Sequence, residues 1–132
     1  MKTSYINGAF IPAGDKVLEN KNPSDVSDVV DRFSRAGRAE TGQALAAASA
    51  AAPEWGNSNP QARFDALDFI GSEILNRREE LGALLSREEG KTLPEGIGEV
   101  TRAGYLFKFF AGEAVRIGGE RLESVRKGAT VD

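Results

Sequence analysis

Two glutamates of this sequence have a spacing that could support chemistry. Glu95 and Glu99 are four positions apart, a spacing that places two side chains on one face of a helix. Carboxylates placed in this way could share a proton or hold a cation. The simpler alternative, which we favour, is that both carboxylates face solvent and repel each other.

Two glycine-containing stretches match phosphate-binding motifs only in part. Residues 96–98, Gly-Ile-Gly, begin like a dinucleotide fingerprint, but Thr101 replaces its third glycine and no predicted strand precedes them. Residues 89–92, Glu-Gly-Lys-Thr, resemble the end of a phosphate-binding loop whose upstream glycine is absent. We interpret the first stretch as small residues for close helix packing and the second as a helix end.

Basic side chains are interleaved with acidic ones in the second half of the chain. Glutamates at i,i+3 and i,i+4 separations accompany one group of arginines and predict a solvated, salt-bridged face. This group is Arg63, Arg77, Arg78 and Arg87. A second group gives the C-terminal part a positive excess that is too weak to indicate nucleic-acid binding. It consists of Arg116, Arg121, Arg126 and Lys127.

An aromatic cluster occupies residues 105–110. Its members are Tyr105, Phe107, Phe109 and Phe110. They could form a ligand box or a stacking platform, but Lys108 is the only cation among them and their spacing is helical. We favour packing in a core or between domains.

The composition of the chain excludes several classes of function. Its 132 residues suffice for one domain, and 40% hydrophobic with 28% charged residues is typical of globular proteins. Cys and His are absent, which removes thiolate nucleophiles, imidazole bases and the commonest metal ligands. A formal charge of −3 favours neither nucleic acid nor membrane as a partner. We therefore expect the chain alone not to be an enzyme.

Targeting signals are not apparent in the sequence. The N-terminus leads into polar turn residues and not into an apolar signal segment, and no stretch approaches the ~20 apolar residues of a membrane span. We expect a cytoplasmic protein.

The first third of the sequence predicts extended structure. Asn7-Gly8 lies between the apolar pairs Tyr5-Ile6 and Phe10-Ile11, as in a type I′ β-hairpin. Residues 22–25, Asn-Pro-Ser-Asp, predict a turn, and the alternation over residues 29–35 predicts a strand after it.

About four helices are predicted after these strands. The first begins at Glu40, includes the alanine-rich residues 44–52 and ends at Pro53. The next begins with Asn59 as N-cap and continues to Gly90, either as one bent helix or as two helices.

The last predicted helix begins at a capping box formed by Thr92 and Glu95. Its small and apolar residues form two adjacent stripes, so the helix must be covered on two sides. The first stripe is Ile97, Val100, Gly104, Phe107 and Ala111, and the second is Ala103, Leu106, Phe110 and Ala114. About three predicted strands are too few for the parallel sheet that such helices cover.

A series of short segments has a characteristic order and spacing along the chain. They are Tyr5-Ile6-Asn7-Gly8, Asn22-Pro23, the alanine-rich helix ending in Trp55, Arg63, Glu89-Gly90-Lys91-Thr92-Leu93, Glu99 and Phe109-Phe110-Ala111-Gly112. In this order they resemble the N-terminal part of the NAD(P)-dependent aldehyde dehydrogenase superfamily. Residues 86–95 and 110–113 are most similar to 2-oxoglutarate semialdehyde (2,5-dioxovalerate) dehydrogenases.

The resemblance implies an α/β fold that is incomplete in this chain. Residues 1–132 would be the N-terminal segment of a Rossmann-like coenzyme-binding domain, with a hairpin, strands and about four helices around a sheet contributed mainly by later sequence. The implied parent oxidises an aldehyde through thiolate attack, hydride transfer to NAD or NADP and thioester hydrolysis helped by a glutamate. Some family members hold a structural monovalent cation near the positions of Lys21 and Glu99.

No residue of this chain matches the catalytic or coenzyme-binding motifs of the family. We therefore assign no catalytic, cofactor-binding or metal-binding residue, and we expect the chain alone to be inactive, without a cofactor, and fragile or sticky. Its expected partner is the remainder of a homo-oligomeric aldehyde dehydrogenase. The alternatives are a truncated interaction module that docks on a homologue or on the missing remainder, and a self-sufficient helical domain of unrelated function.

Overall fold

The structure, a computed structural model, describes residues 3–11, 16–119, 122–123 and 125–131. Within these residues the strands pair as three separate two-stranded antiparallel sheets, β1–β2, β3–β4 and β5–β6. The elements are β1 (Ser4–Ile6), β2 (Ala9–Ile11), β3 (Val17–Asn22), β4 (Asp25–Ser34), α1 (Arg38–Gly56), α2 (Pro60–Asn76), α3 (Arg78–Glu89), α4 (Leu93–Ala114), β5 (Leu122–Glu123) and β6 (Thr130–Val131). The architecture is mixed α/β, as predicted.

Strands β1 and β2 form the predicted hairpin. The φ angles of Asn7 and Gly8 are 50° and 80°, the positive values that a type I′ turn requires. The rings of Tyr5 and Phe10 meet edge to face across the pair, with centroids 4.9 Å apart. The prediction from Asn7-Gly8 is confirmed.

Strands β3 and β4 flank the predicted turn at residues 22–25. The side-chain oxygen of Asn22 accepts a hydrogen bond from the Ser24 amide at 2.9 Å, which fixes the turn locally. Strand β4 begins at Asp25, earlier than the predicted residue 29. The sequence did not predict β3, whose residues lack apolar alternation. This strand is held by pairing with β4 and by α3, where Glu88 accepts a hydrogen bond from the Asn20 amide group at 2.7 Å.

Helix α1 begins before the predicted residue. Its N-cap is Gly37, and the first helical residue is Arg38. The Glu40 carboxylate accepts a hydrogen bond from the Gly37 amide at 2.7 Å. Glu40 therefore lies inside the first turn, where it satisfies an otherwise unpaired N–H group.

Helix α1 also continues past Pro53, so the predicted end is wrong. The helix extends to Gly56 with Pro53 inside its last turn. The guanidinium of Arg63 donates to the carbonyl oxygens of Trp55 at 3.1 Å and Gly56 at 2.7 Å. These bonds satisfy carbonyls that the end of a helix leaves unpaired.

The boundaries of α2 and α3 follow local signals in the sequence. The side-chain oxygen of Asn59 accepts a hydrogen bond from the Ala62 amide at 2.8 Å, which confirms it as the N-cap of α2. Arg77 separates α2 from α3, so the two-helix alternative is correct. Helix α3 ends at Gly90, whose φ of 71° is the left-handed conformation predicted for this position.

Helix α4 begins at the predicted capping box. The Glu95 carboxylate accepts hydrogen bonds from the Thr92 amide at 3.1 Å and from the Thr92 hydroxyl at 2.7 Å. None of the described helices is both long and apolar enough to cross a membrane.

The core of the described residues lies where α4 packs against α2 and α3. Glycines permit this packing, since a Cβ at Gly71 would lie 2.9 Å from the Gly104 carbonyl oxygen. A Cβ at Gly96 would lie 2.5 Å from the Gly82 carbonyl oxygen. The interpretation of Gly96 as a close-packing residue is confirmed, whereas Gly98 has no such neighbour within 4 Å.

The two stripes of α4 differ in burial. Val100 and Ala111 of the first stripe are buried, as is Ala114 at the end of the second. Leu106 and Phe110 of the second stripe are 51% and 56% exposed. Among the described residues, α4 is therefore covered on one side, and the predicted second cover stays a prediction.

Candidate functional site

The α3–α4 junction contains the residues that resemble the end of a phosphate-binding loop. Gly90 adopts the left-handed conformation that ends α3, and its carbonyl accepts a hydrogen bond from the Ser24 hydroxyl at 2.6 Å. A Cβ at Gly90 would lie 2.6 Å from the hydroxyl oxygen of Ser24. The residue therefore joins the β3–β4 turn to a helix end, as the interpretation of a helix end predicts.

Lys91 follows Gly90 and is held by two carboxylates. Its side chain is only 18% exposed, and its ammonium pairs with Glu89 and, at 2.7 Å, with Glu99. The hydrogen bonds that it donates to Glu89 and then to Glu99 raise the pKa of Lys91 above its ordinary value. The Lys91 ammonium is therefore neutralised by carboxylates of this chain, whereas the lysine of a phosphate-binding loop is available to bind a phosphate.

Glu95 and Glu99 have separate partners. Glu95 binds Thr92, and the hydrogen bonds from the Thr92 hydroxyl and amide lower the pKa of Glu95. Glu99 binds Lys91 at 2.7 Å. The two carboxylates therefore do not share a proton. Both side chains are exposed, as the favoured alternative predicts, although each has a hydrogen-bond or ion-pair partner.

The cation site that the family resemblance implies near Lys21 and Glu99 does not fit this geometry. The Lys21 ammonium pairs with Glu19 at 3.3 Å, and the Glu99 carboxylate is occupied by Lys91. Across the described ranges, no group of three or more His, Asp or Glu side chains could hold a metal ion. We assign no metal ligand.

A shallow cleft of about 350 Å³ lies between the β3–β4 turn and the α3–α4 junction. Its polar lining includes Asn22, Ser86, Arg87 and Lys91. The Arg87 guanidinium donates to both Asp28 oxygens, at 2.6 and 2.9 Å, and the Ser86 hydroxyl donates to the Gly82 carbonyl at 2.8 Å. The Arg87–Asp28 pair therefore joins α3 to β4, and a second bond of the Ser86 hydroxyl, to the Thr92 carbonyl at 3.1 Å, joins α3 to the start of α4.

The arginines form a salt-bridged surface, in part as predicted. Arg77 pairs with Glu80 at 2.6 Å, within one helical turn. Arg63 and Arg87 instead bond to other elements: Arg63 caps the end of the preceding helix α1, and Arg87 binds Asp28 of β4, which is distant in sequence. Of the predicted basic group near the C-terminus, Arg121 lies outside the described residues.

Lys108 forms a polar network that the sequence analysis missed. Its ammonium donates to the Asp68 carboxylate and the Ser72 hydroxyl, each at 2.7 Å. The lysine side chain is 32% exposed and joins α4 to α2. The spacing of Asp68 and Ser72 by one helical turn was the available signal.

The side of α4 that α2 and α3 leave open carries large apolar side chains. We call Tyr105, Leu106, Phe109 and Phe110 the aromatic face; their exposed fractions are 62%, 51%, 60% and 56%. The rings of Phe109 and Phe110 meet edge to face, with centroids 5.2 Å apart. Phe107 is half-buried. Core packing, the first of the two predicted roles, thus fits Phe107. The aromatic face is exposed in the described residues, and its packing between domains stays a prediction.

Comparison with known families identifies the class of protein to which this fold belongs. The aldehyde dehydrogenase family matches residues 10–131. Because this match includes almost the whole chain, the chain belongs to the aldehyde dehydrogenase family. The resemblance deduced from the ordered segments is confirmed.

Particular relatives are semialdehyde dehydrogenases. The alpha-ketoglutarate semialdehyde dehydrogenase of Haloferax volcanii is 34% identical over 119 residues, which are 89% of this chain and 25% of that protein. The alpha-ketoglutaric semialdehyde dehydrogenase of Bacillus subtilis is 33% identical over 128 residues, 96% of this chain and 26% of that protein. The chain therefore spans about a quarter of the length of the relatives it matches.

Solved structures agree with this assignment. Betaine aldehyde dehydrogenase from Staphylococcus aureus, in complex with NAD+, superposes with a TM-score of 0.88 at 26% identity. The superposition includes 96% of this chain and 26% of that one. A 3,6-anhydro-L-galactose dehydrogenase in complex with NAP shares the fold, with a TM-score of 0.86 at 22% identity. The four helices and small sheets are consistent with part of an aldehyde dehydrogenase coenzyme domain.

Proposed function

We propose that this chain is the N-terminal segment of the coenzyme-binding domain of an NAD(P)-dependent semialdehyde dehydrogenase. The observation that carries the proposal is its identity of 34% and 33% to two alpha-ketoglutarate semialdehyde dehydrogenases over most of its length. The parent would convert 2-oxoglutarate semialdehyde and water to the dicarboxylate. In that reaction the hydride would pass to NAD(P)+, water would supply the second carboxylate oxygen, and two protons would be released.

This chain supplies a scaffold in the proposed enzyme. It contains no cysteine for the nucleophilic step that the family uses. The stretch that resembles a dinucleotide fingerprint lies inside α4, where Gly96 packs against Gly82 and Ser86. A glycine packed in this way does not fit a coenzyme phosphate. We therefore assign no coenzyme contact to the described residues.

Coenzyme and assembly are proposed for the parent enzyme. The NAD+ complex of the Staphylococcus aureus neighbour supports NAD, and the NAP complex of the second neighbour keeps NADP as the alternative. We expect a cytoplasmic homo-oligomer in which later parts of the chain contact this segment.

The proposal is tested by aldehyde oxidation. Purified 132-residue chain and the product of any longer reading frame are each mixed with 2-oxoglutarate semialdehyde and NAD+ or NADP+, and reduced nicotinamide is followed by absorbance. We expect a rate only from the longer product. Reduced nicotinamide from the 132-residue chain above a no-protein control would contradict the scaffold role. A longer product that oxidises no semialdehyde would contradict the proposed reaction.

A second candidate function is an interaction module that docks on a full-length homologue or on the remaining part of the family domain. The exposed aromatic face favours this candidate. Immobilised chain should retain a purified semialdehyde dehydrogenase in a saturable manner, and Phe109→Asp should abolish retention. Absence of retention by a folded chain would exclude the candidate.

A further inference from the structure

Asn7 is the only asparagine of the chain that is followed by glycine. In an Asn-Gly pair the glycine amide nitrogen can attack the side-chain carbonyl carbon of the asparagine, because no glycine side chain obstructs its approach. The new N–C bond closes a five-membered succinimide ring, and ammonia leaves. Water then opens the ring at either of its carbonyls and gives aspartate or isoaspartate. The pair Asn7-Gly8 therefore has the chemistry of a spontaneous deamidation site, which needs no co-reactant except water.

The conformation of the turn between β1 and β2 opposes this ring closure. The φ angles of Asn7 and Gly8 are 50° and 80°. A residue in the left-handed region has a ψ of about 47°, which places the next nitrogen nearly opposite its own Cβ about the Cα–C bond. Ring closure requires the Gly8 nitrogen to eclipse the Asn7 Cβ. Asn7 must therefore leave the type I′ turn before it can react.

Contacts between the two strands hold Asn7 in this unreactive conformation. Ile6 pairs with Ala9 next to the turn, and Tyr5 pairs with Phe10 one step further from it. The rings of Tyr5 and Phe10 meet edge to face, with centroids 4.9 Å apart. A cross-strand aromatic pair of this kind stabilises the hairpin. Opening of the hairpin thus has to precede the reaction at Asn7.

We propose that Asn7 is a deamidation site that reacts only when the β1–β2 hairpin opens, so that the modification is an irreversible record of hairpin opening. The restraint arises within residues 4–11. It therefore applies to this chain and equally to any longer protein that contains it. Aldehyde oxidation has no part in it.

The two products differ in their effect on the hairpin. Aspartate leaves the main chain unchanged, and Asp-Gly suits the same type I′ turn. Isoaspartate directs the main chain through the former side chain, which adds a carbon atom between Ile6 and Gly8. The pairing of Ile6 with Ala9 then no longer fits a two-residue turn. The hairpin therefore closes again on aspartate but not on isoaspartate.

The test is the rate of deamidation at Asn7 in the 132-residue chain, followed by peptide mapping with mass spectrometry. At one pH and temperature, we expect a rate at least about tenfold lower in native buffer than in denaturing urea, because the open hairpin is a minor state. Tyr5→Ala removes the ring contact and should raise the native rate about threefold. Tyr5→Phe keeps the ring and should leave the native rate unchanged.

Two controls assign the effect to the hairpin. Phe10→Ala removes the ring from the other strand and should have the same effect as Tyr5→Ala. Both rings are exposed, at 64% and 73%, so the circular dichroism of the variants should match that of the wild type. In denaturing urea all four chains should react at the same rate. Equal native and denatured rates for the wild type would overturn the proposal, as would a native rate that neither alanine variant changes.

Discussion

Several charged side chains of this protein join elements that are far apart in sequence. Arg87 of α3 binds Asp28 of β4, and Lys108 of α4 binds Asp68 and Ser72 of α2. Such pairs depend on the register between elements, which local sequence does not specify. The charged surface was therefore predictable from local sequence, whereas its cross-element partners were not.

Replacement of Lys108 by methionine should destabilise the chain. Lys108→Met keeps the aliphatic stem but leaves the Asp68 carboxylate without its cation, and both groups are partly exposed. We expect a loss of about 1 kcal/mol in the free energy of unfolding, measured by urea denaturation. The matched control Lys127→Met removes an exposed lysine and should have no measurable effect. Equal values for the two variants would exclude a stabilising network.

The Asp28–Arg87 pair should make stability sensitive to acid. The hydrogen bonds from Arg87 lower the pKa of Asp28 below its ordinary value of 3.8. A carboxyl group whose pKa is lower in the folded than in the unfolded state stabilises the fold at pH values above its ordinary pKa. This stabilisation is lost as the pH falls through the pKa of the folded state. Melting temperatures of wild type and Asp28→Asn should therefore differ at neutral pH and converge below pH 3.8. A difference that is constant with pH would contradict this prediction.

The ends of most elements were predictable because their signals are local. Asn7-Gly8, Asn59 and the Thr92–Glu95 box each satisfy neighbouring backbone groups, and the structure has all three as predicted. The end of α1 was missed because the proline was interpreted as the stop, whereas Asn57 and Ser58 bond the Pro53 and Trp55 carbonyls and Arg63 of the next helix adds further bonds. Strand β3 was missed for a similar reason, since its stability comes from partners and not from its own pattern.

The packing of α3 on α4 predicts opposite effects at two glycines. A Cβ at Gly82 would lie 2.7 Å from the Ile97 Cα, whereas one at Gly98 has no neighbour within 4 Å. Gly82→Ala should cost about 1–3 kcal/mol of unfolding free energy, because backbone atoms must move apart. Gly98→Ala should stabilise α4 by up to about 1 kcal/mol through helix propensity. Thermal and urea unfolding would measure both, and a neutral Gly82→Ala would show that the helices pack less closely than described.

Considered as a whole molecule, the chain has a small core for its length. Val100, Ala111 and Ala114 are the buried apolar residues of the described ranges, and α1 contributes no buried residue. The chain covers 25% and 26% of two relatives, which supports the interpretation that other parts of the family fold complete its core. A chain with so small a core has a low free energy of unfolding.

The isolated chain should therefore unfold readily and expose apolar surface. We expect a free energy of unfolding of about 5 kcal/mol or less and clear fluorescence with a hydrophobic dye such as ANS. A dye-silent monomer that melts cooperatively at high temperature would show that the described helices need no further cover. That result would favour a self-sufficient domain over a segment of a larger one.

The central proposal is that this chain is one segment of a longer aldehyde dehydrogenase, and the coding sequence beyond the Asp132 codon tests it most directly. We predict an open reading frame that continues for several times the present length and encodes a cysteine for the nucleophilic step. An immediate stop codon would contradict the proposal, and the protein would then be a short family member without the catalytic residues.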